Sequence, residues 1–437
     1  MRWVAAAGLA ACVATLSSCG NAYRPVVATV GLVGPAGQPQ KFAIAVSSAS
    51  PTSNGLLTMV DFAGDTVLVN TNLGVNPYYL ALNTSGTFGY TLNSDKTVTS
   101  FLVTTTLLSS DVLESTLPAG ANPASLFSNN IATYISDPGV SAVDELTGSP
   151  AALKQELPVA TGYTPVYMVG NNASPRIYEL TRSTTGGAGQ ALAIETNASA
   201  VSTALPVGRG PIYGVITQDT KRVFIVNQTD GTVSVINSQT NALDTPVNTI
   251  PVGVSPVWAD LANALNELVV VNQGNGITAG SLSIISIPLC TATTLTVNPN
   301  CNASNPVDAT SFGQVVATVP LGLHPFMVTV LDDGSRAYIA NAGDANLPCS
   351  STGVAVPGVS TGCTVSVVNL TTNTVTATVP INGHPAWIAS SNSSPTGKVY
   401  VVCHDSQVMT VIETDTDKVA RTIPLQGYGI SVRTSSP

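Results

Sequence analysis

The chain has 437 residues, of which 44% are hydrophobic but only 9% charged and 5% aromatic, and its formal charge is −9. So few Glu, Lys and Arg exclude a protein built from solvent-facing helices, and the abundance of Val and Thr favours pleated strands. The acidic balance repels phosphate backbones and excludes nucleic acid as a partner.

Arg2 precedes an apolar run over 4–16 that ends in Leu16-Ser17-Ser18-Cys19. One positive charge and a run too short to span a bilayer make a secretory signal. The closing tetrapeptide is similar to the bacterial lipobox, whose cysteine is acylated and becomes the new N-terminus. Residues 1–18 thus read as a lipoprotein signal peptide and Cys19 as the lipidation site, with an ordinary signal and a chance cysteine as the alternative. Each buried acyl CH₂ contributes about 0.8 kcal/mol, so two or three chains anchor firmly. Gly20 stands where Asp would favour inner-membrane retention, which points to the outer membrane or cell surface. Residues 19–40 carry Pro and Gly without a period and read as a flexible tether, and 41–437 as a single domain.

Through that domain a turn of the form Gly-x-x-Pro, or a near variant, recurs at Pro77, Pro123, Pro165, Pro211, Pro256, Pro325 and Pro385. Most intervals are 42 to 46 residues. An eighth copy, Gly427-Tyr428-Gly429, lacks the proline. Each unit reads as four strands. The second ends in a small polar residue with a large residue three places earlier, as in Tyr90 with Asn93, Phe224 with Asn227 and Tyr338 with Asn341. The third alternates, as in TVSVIN (232–237) and SLSIIS (281–286), which marks two faces in different environments. The fourth contains a proline (Pro118, Pro158, Pro206, Pro251, Pro320, Pro380, Pro424). Proline cannot donate to a ladder, so this strand belongs on an outer edge and the first strand innermost.

Antiparallel four-stranded units of this length predict an all-β fold, a β-propeller. Three strands precede Pro77 and one extra strand surrounds Gly429. Pooled, they make one blade that closes the ring, for eight blades in all. Seven is the alternative, if the irregular unit 123–165 is not a full blade.

Four cysteines bracket two insertions, Cys290 with Cys301 and Cys349 with Cys363. In an exported chain these are natural disulfides, each closing a loop of roughly 12 to 15 residues and contributing about 3 kcal/mol in the chain-entropy model. Neither pair has the CxxC spacing of a zinc site. Cys403, inside a strand, is expected to be a buried free thiol.

Strand direction places the turn before strand one and the loop after strand two at one mouth of the ring. His324, His384 and His404 share that mouth and are candidate metal ligands, against a reading of His324 and His384 as turn residues before proline. Two residues after each repeat proline lie Tyr79, Tyr167, Tyr213, Trp258 and Trp387, with Ser125 and Met327 at the remaining positions. They are expected to ring the channel entrance, either to stack on sugars or peptides or to pack between blades. No hydrolase or phosphate-loop motif is present, and no catalytic residue or cofactor is assigned.

The units GPIYGVITQDTKRVFIVNQTDGTVSVINSQTNALDTPVNTIPVG (210–253) and HPFMVTVLDDGSRAYIANAG with CTVSVVNLTTNTVTATVPING (324–343 and 363–383) resemble the YVTN-type repeat of bacterial YncE-like and archaeal surface-layer propellers. The resemblance covers about 41–437 and implies the propeller fold. That group's link to DNA does not carry over to so acidic a chain. The expectation is a lipid-anchored, exported propeller acting as a non-catalytic binding or scaffold module at the cell envelope. Its contacts would be the membrane, through the N-terminal lipid, and an envelope protein or glycan at the mouth bearing the 349–363 loop, the histidines and the aromatic ring. A propeller enzyme, either a metal-dependent oxidoreductase or a lactonase, is the alternative.

Overall fold

The computed structural model describes residues 42–435 apart from 172–173, 246, 277–278, 289–310, 345, 350–362 and 392–396. The leader, Cys19, the tether, Cys290 and Cys301 lie outside the described residues. Eight antiparallel sheets follow one another around a ring. Blades 1 to 7 span 77–116, 125–158, 163–209, 211–251, 256–320, 325–380 and 385–424. In each, the strands pair in chain order, and in blade 4 the fourth strand is split into Ala242–Leu243 and Thr249–Pro251, both paired with Thr232–Asn237. Blade 8 is composite: Tyr428–Ser435 pairs with Phe42–Ser48, which continues to Asn54–Asp61 and Val67–Val75. The two ends of the chain are thereby hydrogen-bonded in one sheet, the clasp that the unequal strand counts predict. The unit 123–165 supplies four paired strands and is a full blade, which settles eight over seven. Among the described residues the only helical pieces are two single turns, Ser109–Asp111 and Asn263–Leu265.

The first strands pack against one another around the axis, blade to blade, and the clasp strand Tyr428–Ser435 takes its place between those of blades 7 and 1. Fourth strands are outermost. Lys418–Pro424, for example, leaves all but one of its residues exposed, and its proline ends the ladder at the rim.

Two recurring contacts explain the sequence period. The large residue of strand two is wedged between blades: Tyr134, Tyr178, Phe224, Tyr338 and Tyr400 are fully buried. Tyr178 donates its hydroxyl to Asn241 Oδ1 at 3.4 Å, and Tyr338 donates to Asp417. Both acceptors occupy the left-handed turn position between strands three and four of the next blade, at φ +51° and +52°. Asn tolerates that conformation well, Asp nearly as well.

The small polar residue three places on is a clamp. Asn272 donates Nδ2 to Ser281 Oγ (3.1 Å) and Ser283 Oγ (3.0 Å), and its Oδ1 accepts the Gly253 amide (3.0 Å). Asn93, Asn227 and Asn341 each donate in the same way to two strand-three hydroxyls. Gly253 is needed because a Cβ there would lie 2.5 Å from the Asn272 amide carbon. Blade 2 departs from the rule. Asp137 holds the clamp position and Asp144 replaces a hydroxyl, both buried, which is why this unit reads as irregular.

Candidate functional site

The repeat proline does more than start a strand. In blades 1, 3, 4, 5, 6 and 7 the register with strand two slips between the proline and the residue two places on. A bulge at that point bends the strand and re-aims the next side chain. The re-aimed residues are Tyr79, Tyr167, Tyr213, Trp258, Met327 and Trp387.

The five rings meet in series around the axis. Tyr167 and Tyr213 have centroids 4.8 Å apart, Tyr213 stacks on Trp258 at 3.7 Å, and Trp258 meets Trp387 edge-on at 5.6 Å, passing over blade 6. Trp387 reaches Tyr79 at 6.3 Å across the clasp, and the Tyr79 hydroxyl bears electrostatically on the Tyr167 phenol across blade 2. Burial and the neighbouring hydroxyls hold the Tyr167 phenol well above its ordinary pKa. Ser125 and Met327, the two smaller residues of the set, thus leave the gaps across which the rings join.

These rings floor a cavity of about 590 Å³ that continues along the axis to the far ends of the first strands, where Asn83, Thr84, Asn171, Ser390, Thr434 and Ser435 line it. Trp387 carries the Arg433 guanidinium 4.3 Å above its ring, and Arg433 Nε donates to the Leu80 carbonyl (3.1 Å). No carboxylate pairs with Arg433 among the described residues. Asp260 also lines the cavity, its two oxygens accepting the Leu261 and Val330 amides at 2.8 Å each. Burial pushes its pKa up to about 6 against those two bonds. The lining runs from the rings towards the ends of the first strands opposite the histidines, so the cavity and the histidines lie on different sides of the aromatic ring. The bulge turns the rings inward to the axis and walls them off from the histidine side.

At the histidine mouth His324 bonds through both ring nitrogens to backbone carbonyls, Nδ1 to Gly343 at 2.6 Å and Nε2 to Gly276 at 2.8 Å. His384 and His404 stack with centroids 5.4 Å apart. Cys349 and Cys363 form the expected disulfide, and Cys349 Sγ lies 3.3 Å from His384 Nδ1. Asp405 braces the same histidine, accepting its backbone amide and Nδ1 at 2.7 Å each, and Nε2 faces the Asp344 carbonyl at 3.2 Å. Burial disfavours the charged ring, but Asp405 and Asp344 outweigh it and raise the His384 pKa. Cys403 is a buried free thiol whose pKa burial pushes up to about 12. Sequence reasoning missed Asp260, Arg433 and Asp405. Asp260 and Arg433 follow aromatic-strand positions by a few residues, and only the direction of the strand relative to the cavity singles them out.

No protein-family model matches the chain, and no curated relative matches it. Its fold is shared with solved structures. NirN, a dihydro-haem d1 dehydrogenase solved with its ligand, aligns at 13% identity over 91% of this chain and 76% of its own, with a TM-score of 0.62. Apo AztD from Citrobacter koseri aligns at 11% over 90% and 97%, TM-score 0.57. A 6-phosphogluconolactonase-like protein from Bacteroides fragilis aligns at 14% over 92% and 99%, TM-score 0.53. The chain is a β-propeller. Likeness at these identities is one of fold alone.

Proposed function

We propose that this propeller is a ligand-binding module of the cell envelope, exported on the signal at 1–18, held to the membrane by lipid on Cys19, and related to the YVTN-type, YncE-like propellers. Its ligand is a small molecule that joins a flat face to an anionic group, such as an acidic sugar. One observation carries the reading: an axial cavity with an aromatic floor and a guanidinium lying on that floor. Aromatic rings supply area and orientation, and a guanidinium presents a fork of donors to a carboxylate.

Outside the leader, Trp258 and Trp387 are the only tryptophans in the chain, so intrinsic emission reports on this floor. Titration with glucuronic acid and its short oligomers should change that emission, neutral glucose oligomers should not, and Arg433→Met should abolish the difference. If the acidic and neutral series behave alike, or neither alters the emission, the reading fails. Membrane attachment is tested separately, by release of Cys19→Ser into the soluble fraction.

A further inference from the structure

We propose that Cys349, Cys363 and His384 are the three protein ligands of a site for a thiophilic divalent cation of the Zn²⁺ kind, opened when the disulfide is reduced. The two sulfurs and a His384 ring nitrogen lie within 4.8 Å of one another. With Zn–S near ~2.3 Å and Zn–N near ~2.0 Å, tetrahedral ligands stand roughly 3.5–4 Å apart. Cys349 Sγ is already 3.3 Å from His384 Nδ1. Separating the sulfurs from bonding to ligand distance therefore needs only a small movement of two side chains.

The imidazole is set up for the purpose. Nε2–H faces the Asp344 carbonyl and Nδ1–H is held by Asp405 beside the sulfurs, so binding needs only the Nδ1 proton to leave while Nε2–H keeps its acceptor. A metal-bound histidine characteristically has its second nitrogen so engaged. The ring is held further by stacking on His404 and by the Asp405 brace on its backbone. Asp405 Oδ2, 2.7 Å from Nδ1, is the nearest further oxygen donor. Cys363 and His384 are buried and Cys349 is half-buried. Two cysteines and a histidine with a free fourth position is a ligand set that zinc accepts.

The chemistry balances in two steps. An external dithiol gives two electrons and two protons to the Cys349–Cys363 bond and leaves as its own disulfide. The cation then displaces the two thiol protons and the His384 Nδ1 proton held by Asp405, all released to solvent, as the two thiolates and the imidazole bind it. The oxidised chain has no thiolate to offer, so cation binding and disulfide formation exclude each other.

Co²⁺ is a suitable probe because thiolate ligation gives a near-ultraviolet charge-transfer band and tetrahedral geometry gives strong visible bands. The full-length protein, reduced with a phosphine, should take up one Co²⁺ with both features and lose them to Zn²⁺. The oxidised protein should show neither. Cys349→Ser/Cys363→Ser should abolish the bands, Cys290→Ser/Cys301→Ser and Cys403→Ser should retain them, and His384→Ala should weaken binding at least tenfold while its melting curve confirms folding. The proposal is overturned if the reduced protein shows no thiolate band, if the band survives in Cys349→Ser/Cys363→Ser, or if His384→Ala binds as tightly as the parent.

Discussion

Arg222 and Asp244 form an ion pair sealed within blade 4, Nε to Oδ2 at 2.5 Å, with side chains 0% and 1% exposed. Arg222 also donates Nη1 to the Lys221 carbonyl at 2.9 Å. Desolvating two charges offsets most of their attraction, so the pair as a whole adds little, whereas removing one partner strands the other. Asp244→Ala should therefore cost about 3–5 kcal/mol. Arg222→Met/Asp244→Leu, which removes both charges and keeps volume, should be the more stable of the two. Urea denaturation of the two variants and the parent measures the difference.

The clamp asparagines predict a second cost. Asn272→Ala would leave the Ser281 and Ser283 hydroxyls and the Gly253 amide without their partner inside blade 5. Unpaired buried groups cost about 1–3 kcal/mol each, less whatever water recovers, so a loss of about 2–4 kcal/mol is expected. Asn272→Ser, too short to span the same three partners, should lose nearly as much. Thermal denaturation of the two variants checks this.

Much of this architecture was legible because a propeller repeats its contacts along the chain. Asn93, Asn227, Asn272 and Asn341 recur in sequence because each meets the same hydroxyl pair, and Pro158, Pro251, Pro320, Pro380 and Pro424 recur because each ends a rim ladder, whereas Pro206 sits inside its strand and Pro118 just beyond its own. The clasp followed from counting strands at the two ends. What the pattern did not carry was direction at the axis. Tyr79, Tyr167, Tyr213, Trp258 and Trp387 were found by spacing, but whether they edge an open mouth or meet each other depends on a one-residue bulge that spacing does not record. Arg433 and Asp260 escaped for a related reason: neither repeats, and each matters only through the cavity it faces. The disulfide was legible from the spacing of its cysteines about one insertion and from the expectation of export. Its contact with His384 comes from a neighbouring blade, at a distance in sequence that no local motif spans.

Blade 2 should lose stability as the pH rises from acid towards neutrality. Burial first, then Asp137 and Glu156, raise the Asp144 pKa to about 7, and Asp137 Oδ1 is occupied by the Asn122 and Gly139 amides at 2.8 Å each. The folded chain thus holds a proton at Asp144 that the unfolded chain releases near its ordinary ~3.9. Between these values the folded state binds more protons, so this group's stabilisation is whole below about pH 4 and is lost as pH rises through 7. Asp144→Asn removes the titration and keeps a donor for Asp137. Urea midpoints from pH 4 to 8 should fall less steeply in that variant than in the parent.

Ring closure depends on close approach at the clasp. A Cβ on Gly429 would lie 2.6 Å from Val402 Cβ and 3.0 Å from the Cys403 backbone nitrogen and oxygen. Those atoms belong to a paired strand and cannot step aside. Gly429→Val should accordingly cost about 1–3 kcal/mol through overpacking. Because Gly429 opposes Ser47 on the first described strand, the loss should appear as early hydrogen exchange in Phe42–Ser48 as well as a lower melting temperature.

The aromatic floor should carry a titration of its own. Asp260 lines the same cavity as Trp258, and its carboxyl, raised by burial to about 6, also bears on the Tyr213 phenol that stacks against Trp258. Ionisation places a negative charge beside that stacked pair, so tryptophan emission should change with a midpoint near pH 6. The folded pKa is above its unfolded value, so stability drawn from the protonated form is lost as pH rises through that midpoint. Asp260→Asn should abolish the emission change and leave the Val330 amide with an oxygen to bond. Arg433→Met should leave the transition in place, since Arg433 lies over Trp387 and its absence does not remove the titrating group. A midpoint that persists in Asp260→Asn would place the titration elsewhere and detach Asp260 from the floor it lines.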